Sequence, residues 1–368
     1  MILILGCKRT KTVSTIQSSD IEQSTLNWDT KTSKPLSSLI DSIQIIPLET
    51  HSNGLFGGIS KVIIKAGKIY IFDARKANAL LVFDQRNGKF LFKVGSRGGG
   101  PGEYNLLKNF DVTDDRIYLL VSSQRKVITF NIEGEYLKED RINFVADDIV
   151  ALKNGDFLFS KVYNPHDVAR ETGYRIKLTD GNFNIKQNLF KLNENDSQLT
   201  RESYFYNYGN DKVSYNAYIQ DSVIVFDKLT GKYNAYFFDF GDKKMPQDKR
   251  LLAKDVLQST NYCYLYKAPP FQIDKYVIGT SVIGESIEVF IFDTTNGQLY
   301  LNDSHFGSDD FSKYMAFPHA EDDNRIYSII NGEMYKVLVN GGFTENSLAS
   351  KHLEIEDNMA IIIYKLRT

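Results

Sequence analysis

The chain has 368 residues, a formal net charge of -2, 42% hydrophobic residues and 13% aromatic residues. That balance lacks the strongly basic face that captures phosphate backbones, which excludes nucleic acid as a partner class. No run of about 18 apolar residues offers a membrane-spanning helix, and Cys7 and Cys263, neither with a Cys-x-x-Cys neighbour, imply neither a disulfide framework nor a zinc ribbon.

At the start, Met1-Ile-Leu-Ile-Leu-Gly-Cys7 is an apolar stretch closed by a small residue and a cysteine. It reads as the end of a lipoprotein signal peptide, with cleavage between Gly6 and Cys7 and lipid attached to Cys7. The Ser/Thr/Lys/Gln-rich stretch that follows reads as a flexible tether. The expected organisation is therefore a signal remnant over residues 1–7, a tether over 8–35 and one folded domain over 36–368.

From Ile59 the chain falls into a repeat. The segments Lys61-Val-Ile-Ile, Lys68-Ile-Tyr-Ile-Phe-Asp73, Ala79-Leu-Leu-Val-Phe-Asp84 and Lys89-Phe-Leu-Phe-Lys-Val94 are short strands, and Asn87-Gly88 is a hairpin turn. The unit returns with turns at Gly134, Gly181, Gly231 and Gly297, in steps of 46, 47, 50 and 66 residues. The long step implies an insertion over about Asp242 to Pro270. A last copy has strands at Arg325–Ile330, Glu333–Leu338 and Met359–Leu366, and Ile43-Gln-Ile-Ile-Pro-Leu48 is left over to complete its sheet. Four strands per period of about 45 residues predict an all-β, six-bladed β-propeller closed by pairing of its two ends.

The inter-blade segment Val94-Gly-Ser-Arg-Gly-Gly-Gly-Pro-Gly-Glu-Tyr104, the opening Ile46-Pro-Leu-Glu49 and the ending Ile361-Ile-Ile-Tyr-Lys-Leu366 carry a further likeness. Over residues 36–368 the chain resembles the six-bladed β-propeller lipoproteins of Bacteroides-type bacteria, relatives of the NHL-repeat propellers. The resemblance implies the fold and an anchored, cell-envelope location.

Candidate sites divide by chemistry. The glycines between Gly95 and Gly102, with Arg97, could cradle an anion, but no Gly-Lys-Ser/Thr follows; tight passage between blades explains them as well. Asp73, Asp84, Asp227 and Asp293 recur at equivalent strand ends, which assigns them to turns. None of His51, His166, His305, His319 and His352 is spaced as a metal pair. The ligand-binding surface is expected around Tyr204, Tyr206 and Tyr208, with Tyr262, Tyr264, Tyr266 and Phe271 beside the insertion, because such rings offer flat apolar faces with polar tips. The sequence thus predicts an envelope-anchored binding or scaffold propeller for a glycan, peptide or protein, with no catalytic residues and no cofactor assigned. The alternative is a metal-assisted hydrolase or lyase, as in related six-bladed rings, with a divalent ion in the central channel.

Overall fold

In Lys68–Asp73 and Ala79–Asp84 nearly every residue is buried, whereas Phe90–Val94 alternates between exposed and covered positions. A strand sandwiched between neighbouring sheets must be apolar on both faces, and a strand at the rim on one. In the computed structural model this gradient recurs around a ring. The structure describes residues 14–16, 23–161, 173–192, 201–208, 211–217, 219–246, 249–250, 261–283, 286–306, 315–322, 324–340 and 358–367.

Six antiparallel sheets form the blades. Blade 1 comprises Lys61–Lys65, Lys68–Asp73, Ala79–Asp84 and Phe90–Val94, and blade 2 Asn109–Val112, Arg116–Val121, Lys126–Asn131 and Tyr136–Arg141, each in chain order from axis to rim. Blade 3 has Asp148–Ala151, Phe157–Ser160, Tyr174–Thr179 and Ile185–Lys191, and blade 4 Phe205–Tyr208, Lys212–Tyr215, Ser222–Asp227 and Tyr233–Asp239. Blade 5 has Cys263–Ile273, Tyr276–Ile283, Ser286–Asp293 and Gln298–Leu301. Blade 6 is built from Pro318–Asp322, Arg325–Ile330, Ala360–Leu366 and, at the rim, Ile40–Pro47. The predicted closure is present: Ile40–Pro47 runs antiparallel to Ala360–Leu366, with Ile45 opposite Ile362 and Ile43 opposite Tyr364.

Three sequence-based expectations need correction. The segment Glu333–Leu338 is not a strand but lies in a helix, Gly332–Asn340, whose Tyr335 and Leu338 are buried one turn apart. The expected insertion contains a regular blade element, because Cys263–Ile273 is the innermost strand of blade 5, with Pro269 and Pro270 at a register shift between Tyr266 and Phe271. The expected tether over residues 8–35 contributes structure as well. Ser14–Ile16, Gln23–Asn27 and Lys34–Pro35 add parallel fifth strands to the rims of blades 3, 4 and 5. The physical reason is the few apolar residues set among polar ones. Leu26 and Leu36 are buried, and the Trp28 ring meets Phe238, Phe240 and Phe290 edge-on at centroid distances of 6.1, 5.2 and 4.9 Å. These strands cover rims that would otherwise present unpaired backbone groups. The rim of blade 2 instead carries Lys138, Glu139, Asp140 and Arg141, charges that discourage edge-to-edge pairing.

Candidate functional site

The innermost strands bring charged residues to the axis in an ordered way. Lys61 of blade 1 is buried, and its ammonium donates to the Phe110 carbonyl of blade 2 at 2.9 Å and to the Asp148 carboxylate of blade 3 at 3.0 Å. The second Asp148 oxygen accepts from the backbone N–H groups of Tyr204 and Phe205 and from the Ser203 hydroxyl, at 2.7, 2.9 and 2.8 Å. The Lys61–Asp148 pair therefore ties four blades together. Asp111, fully buried, accepts from the Ala151 N–H at 2.8 Å and the Asn207 amide at 2.6 Å. Both axial carboxylates are committed to protein donors, and Asp148 is already neutralised by a lysine, so these two residues do not fit a divalent ion. Among the described residues no three His, Cys, Asp or Glu side chains gather to hold a metal.

Beside this network a cleft of about 400 Å³ opens on the face that carries the hairpin turns. Blade 1 gives it Lys65; blade 2 gives Asp114, Asp115, Arg116, Tyr118, Lys138 and Asp140; blade 3 gives Lys153, Phe157 and Phe183; and blade 4 gives Lys228. The position of Lys228 is set by the main chain: its N–H donates to the Asp211 carbonyl at 2.7 Å, and its carbonyl accepts from the Lys153 N–H at 2.8 Å. Its side chain is thereby fixed at the seam of blades 3 and 4. Burial, opposed by the Asp111 charge and reinforced by Lys65, Lys61 and Lys153, holds its pKa below the ordinary lysine value.

The aromatic residues expected to bind ligand lie elsewhere, and most serve packing. Tyr206 of blade 4 stacks on Phe271 of blade 5, with centroids 4.5 Å apart and planes 7° from parallel, both rings buried. Tyr204 is buried and its hydroxyl accepts from the Arg201 N–H at 3.0 Å. Tyr264 is buried with Ile219, Met245 and Val282, and half-buried Tyr262 and Tyr266 lean on that group. The Tyr208 side chain and residues 251–260 lie outside the described residues. The insertion is anchored by a buried pair, Arg250 to Asp221 at 2.5 Å, with Arg250 also donating to Gln220 at 2.9 Å.

The remaining candidates have structural surroundings. Arg97 is exposed beside a loop whose interior is filled by the protein's own anion: the Glu103 carboxylate accepts from the Gly100 N–H at 2.7 Å, and a Cβ on Gly98 would sit 2.0 Å from it. Asp73 accepts from the N–H groups of Gly57, Arg75, Lys76 and Ala77, and Asp84, Asp227 and Asp293 each accept from turn N–H groups, which is the turn role their recurrence predicts. His51 stacks on Phe90, and His319 accepts from the Ile329 N–H at 3.3 Å. His305 stands 4.0 Å from the buried Glu288 carboxylate. His166, His352 and Cys7 lie outside the described residues.

The axial network and Lys228 escaped the sequence reading. A signal was available: Lys61, Asp111 and Asp148 stand beside the apolar residues of short inner strands, and charges are buried at such places only when paired.

A search of curated proteins finds no match. Among solved structures, one described as an exported protein of Bacteroides fragilis is similar over 94% of this chain and 100% of that one, at 18% identity and a TM-score of 0.74. A member of the DUF4221 family from Bacteroides vulgatus is similar over 89% of this chain and 97% of that one, at 11% identity and a TM-score of 0.54. At these identities the likeness is one of fold. Residues 18–365 match the family described as a domain of unknown function, DUF4934, and the chain belongs to that family.

Proposed function

We propose that this protein is a non-catalytic binding propeller of the bacterial cell envelope, which takes its ligand in the cleft shared by blades 1 to 4. The observation that carries the reading is that one concave site is walled by side chains from four blades and mixes charges with the rings of Tyr118, Phe157 and Phe183. A site assembled from several repeats is what a propeller scaffold offers a ligand. The envelope location is supported by the segment Leu5-Gly6-Cys7 and by the exported neighbour of the same fold. The metal-assisted alternative is not favoured by the axial residues, whose carboxylates are occupied.

Incubating the full chain with glycan and peptide arrays tests the reading. Saturable binding without chemical change of the captured ligand, with amide exchange protected at the cleft hairpins, is the supporting result. Conversion of the ligand with time, or protection confined to the opposite face, overturns it. The anchor has its own check: expressed behind a complete signal, the wild type takes up labelled fatty acid and sediments with membranes, and Cys7→Ser does neither. Unchanged acylation of Cys7→Ser refutes the anchor.

A further inference from the structure

We propose that the four-blade cleft receives a small anionic ligand, a carboxylate or a phosphate ester, and that Lys228 is the residue that takes its charged group. The proposal rests on the binding reading above and specifies its ligand chemistry.

The argument is one of charge matching within the cleft. Five basic side chains line it, and four have acidic partners: Lys65 with Asp114 at 2.8 Å, Arg116 with Asp115 at 3.1 Å, Lys138 with Asp140 at 2.8 Å and Lys153 with Asp211 at 2.5 Å. Lys228 is the exception. It is only 8% exposed, and among the described residues its ammonium has neither an ion pair nor a hydrogen bond. The acidic side chain acting on it most strongly is Asp111, whose two oxygens are engaged by Ala151 and Asn207.

A lysine buried to this degree is paired in almost every protein; the Lys228 stem is buried, but its ammonium is not among the enclosed unpartnered atoms and so meets the cleft, where a ligand's charge reaches it. The backbone role of this residue does not require a lysine, since the bonds to Asp211 and Lys153 use only its N–H and carbonyl. Lys61, Lys65 and Lys153 add positive potential around it. What Lys228 lacks is a counter-charge at pairing distance, and the adjacent cleft is the place from which a ligand supplies it. Such a ligand also reverses the depressed proton affinity of Lys228. Binding therefore takes up protons when the pH lies above the lowered pKa of Lys228 in the unliganded protein, and affinity falls as pH rises through that value.

The test is isothermal titration of the full chain with two probes, inorganic phosphate and glucuronate, in buffers of different ionisation enthalpy. Wild type binds at least one probe saturably, more weakly at high salt, with net proton uptake at alkaline pH; the preferred probe tells phosphate from carboxylate. Lys228→Met weakens that binding at least about tenfold, abolishes the proton uptake and melts no lower than wild type. Lys228→Arg retains binding without the proton uptake. Should Lys228→Met fail to fold, Lys228→Gln is read by the same titration. No binding of either probe by wild type, or binding and proton uptake unchanged in the neutral variant, overturns the assignment. An array ligand that binds Lys228→Met at full strength removes the anion site and leaves the binding reading standing, whereas absence of both array ligands and probe binding removes both.

Discussion

Replacing Trp28 with alanine is the sharpest test of how the N-terminal segment belongs to the ring. The indole is half-buried and lies edge-on against Phe238 in the outer strand of blade 4, Phe240 just after it and Phe290 of blade 5, so its removal opens the seam between two blades. Full burial of a tryptophan is worth about 3–5 kcal/mol on truncation, and partial burial with three edge contacts of about 0.5–1.5 kcal/mol each sets the cost near 3 kcal/mol. With an unfolding entropy of about 2.1 cal/mol/K per residue, the 368-residue chain melts roughly 4 °C lower. Phenylalanine at this position costs less, because the indole N–H is buried without an acceptor and removing it recovers about 1–3 kcal/mol. Trp28 is the single tryptophan, so native fluorescence reports this seam alone and its loss on heating is compared with circular dichroism. Emission typical of a water-exposed indole in the native protein, or a Trp28→Ala melting shift below about 1 °C, refutes the packing argument.

Two further outcomes follow from the buried charges. Asp148→Asn leaves Lys61 buried without a counter-charge and destabilises the ring by about 3–5 kcal/mol, read as a lower urea midpoint; an unchanged midpoint contradicts the four-blade tie. Burial pushes the Glu288 carboxyl up to about 7, above its unfolded value of about 4.3. Folding thus takes up a proton between those values: the stability is complete below about pH 4 and lost as pH rises through about 7. Relative to Glu288→Gln, wild type loses on the order of 3 kcal/mol from pH 4 to pH 8, and parallel stability curves for the two proteins exclude the effect.

Blades 1 and 2 were readable because their strands are apolar runs punctuated by Asn87-Gly88 and Gly134, signals that act locally. The elements misread are those in which tertiary contacts outweigh local pattern. Cys263–Ile273 contains Pro269-Pro270, which argues against a central strand until the bulge that accommodates it is seen. The short stretch Glu333–Leu338 suits a strand as well as a helix by its spacing, and the helix that contains it buries Tyr335 and Leu338. Residues 23–35 look like a linker by composition, and their place is decided by Leu26 and Trp28 meeting a groove that only the assembled blades provide. Lys228 follows a strand like any surface residue, and its neighbours come from Asp111, Lys153 and Asp211, which are distant in sequence. By contrast, the turn aspartates needed only their own few residues to be understood.

The antiparallel seam in blade 6 also governs the order of events during biosynthesis. Residues 360–366 stand between Arg325–Ile330 and Ile40–Pro47, so the early strand has no docking partner until residues 360–366 have been made. Blades 1 to 5 can each form from contiguous sequence as the chain emerges, but the circle is completed by a contact spanning nearly its whole length, a slow kind of step. A chain lacking residues 360–366 therefore remains an open arc. That delay leaves the ring unlocked until Ala360–Leu366 is in place between its two neighbours.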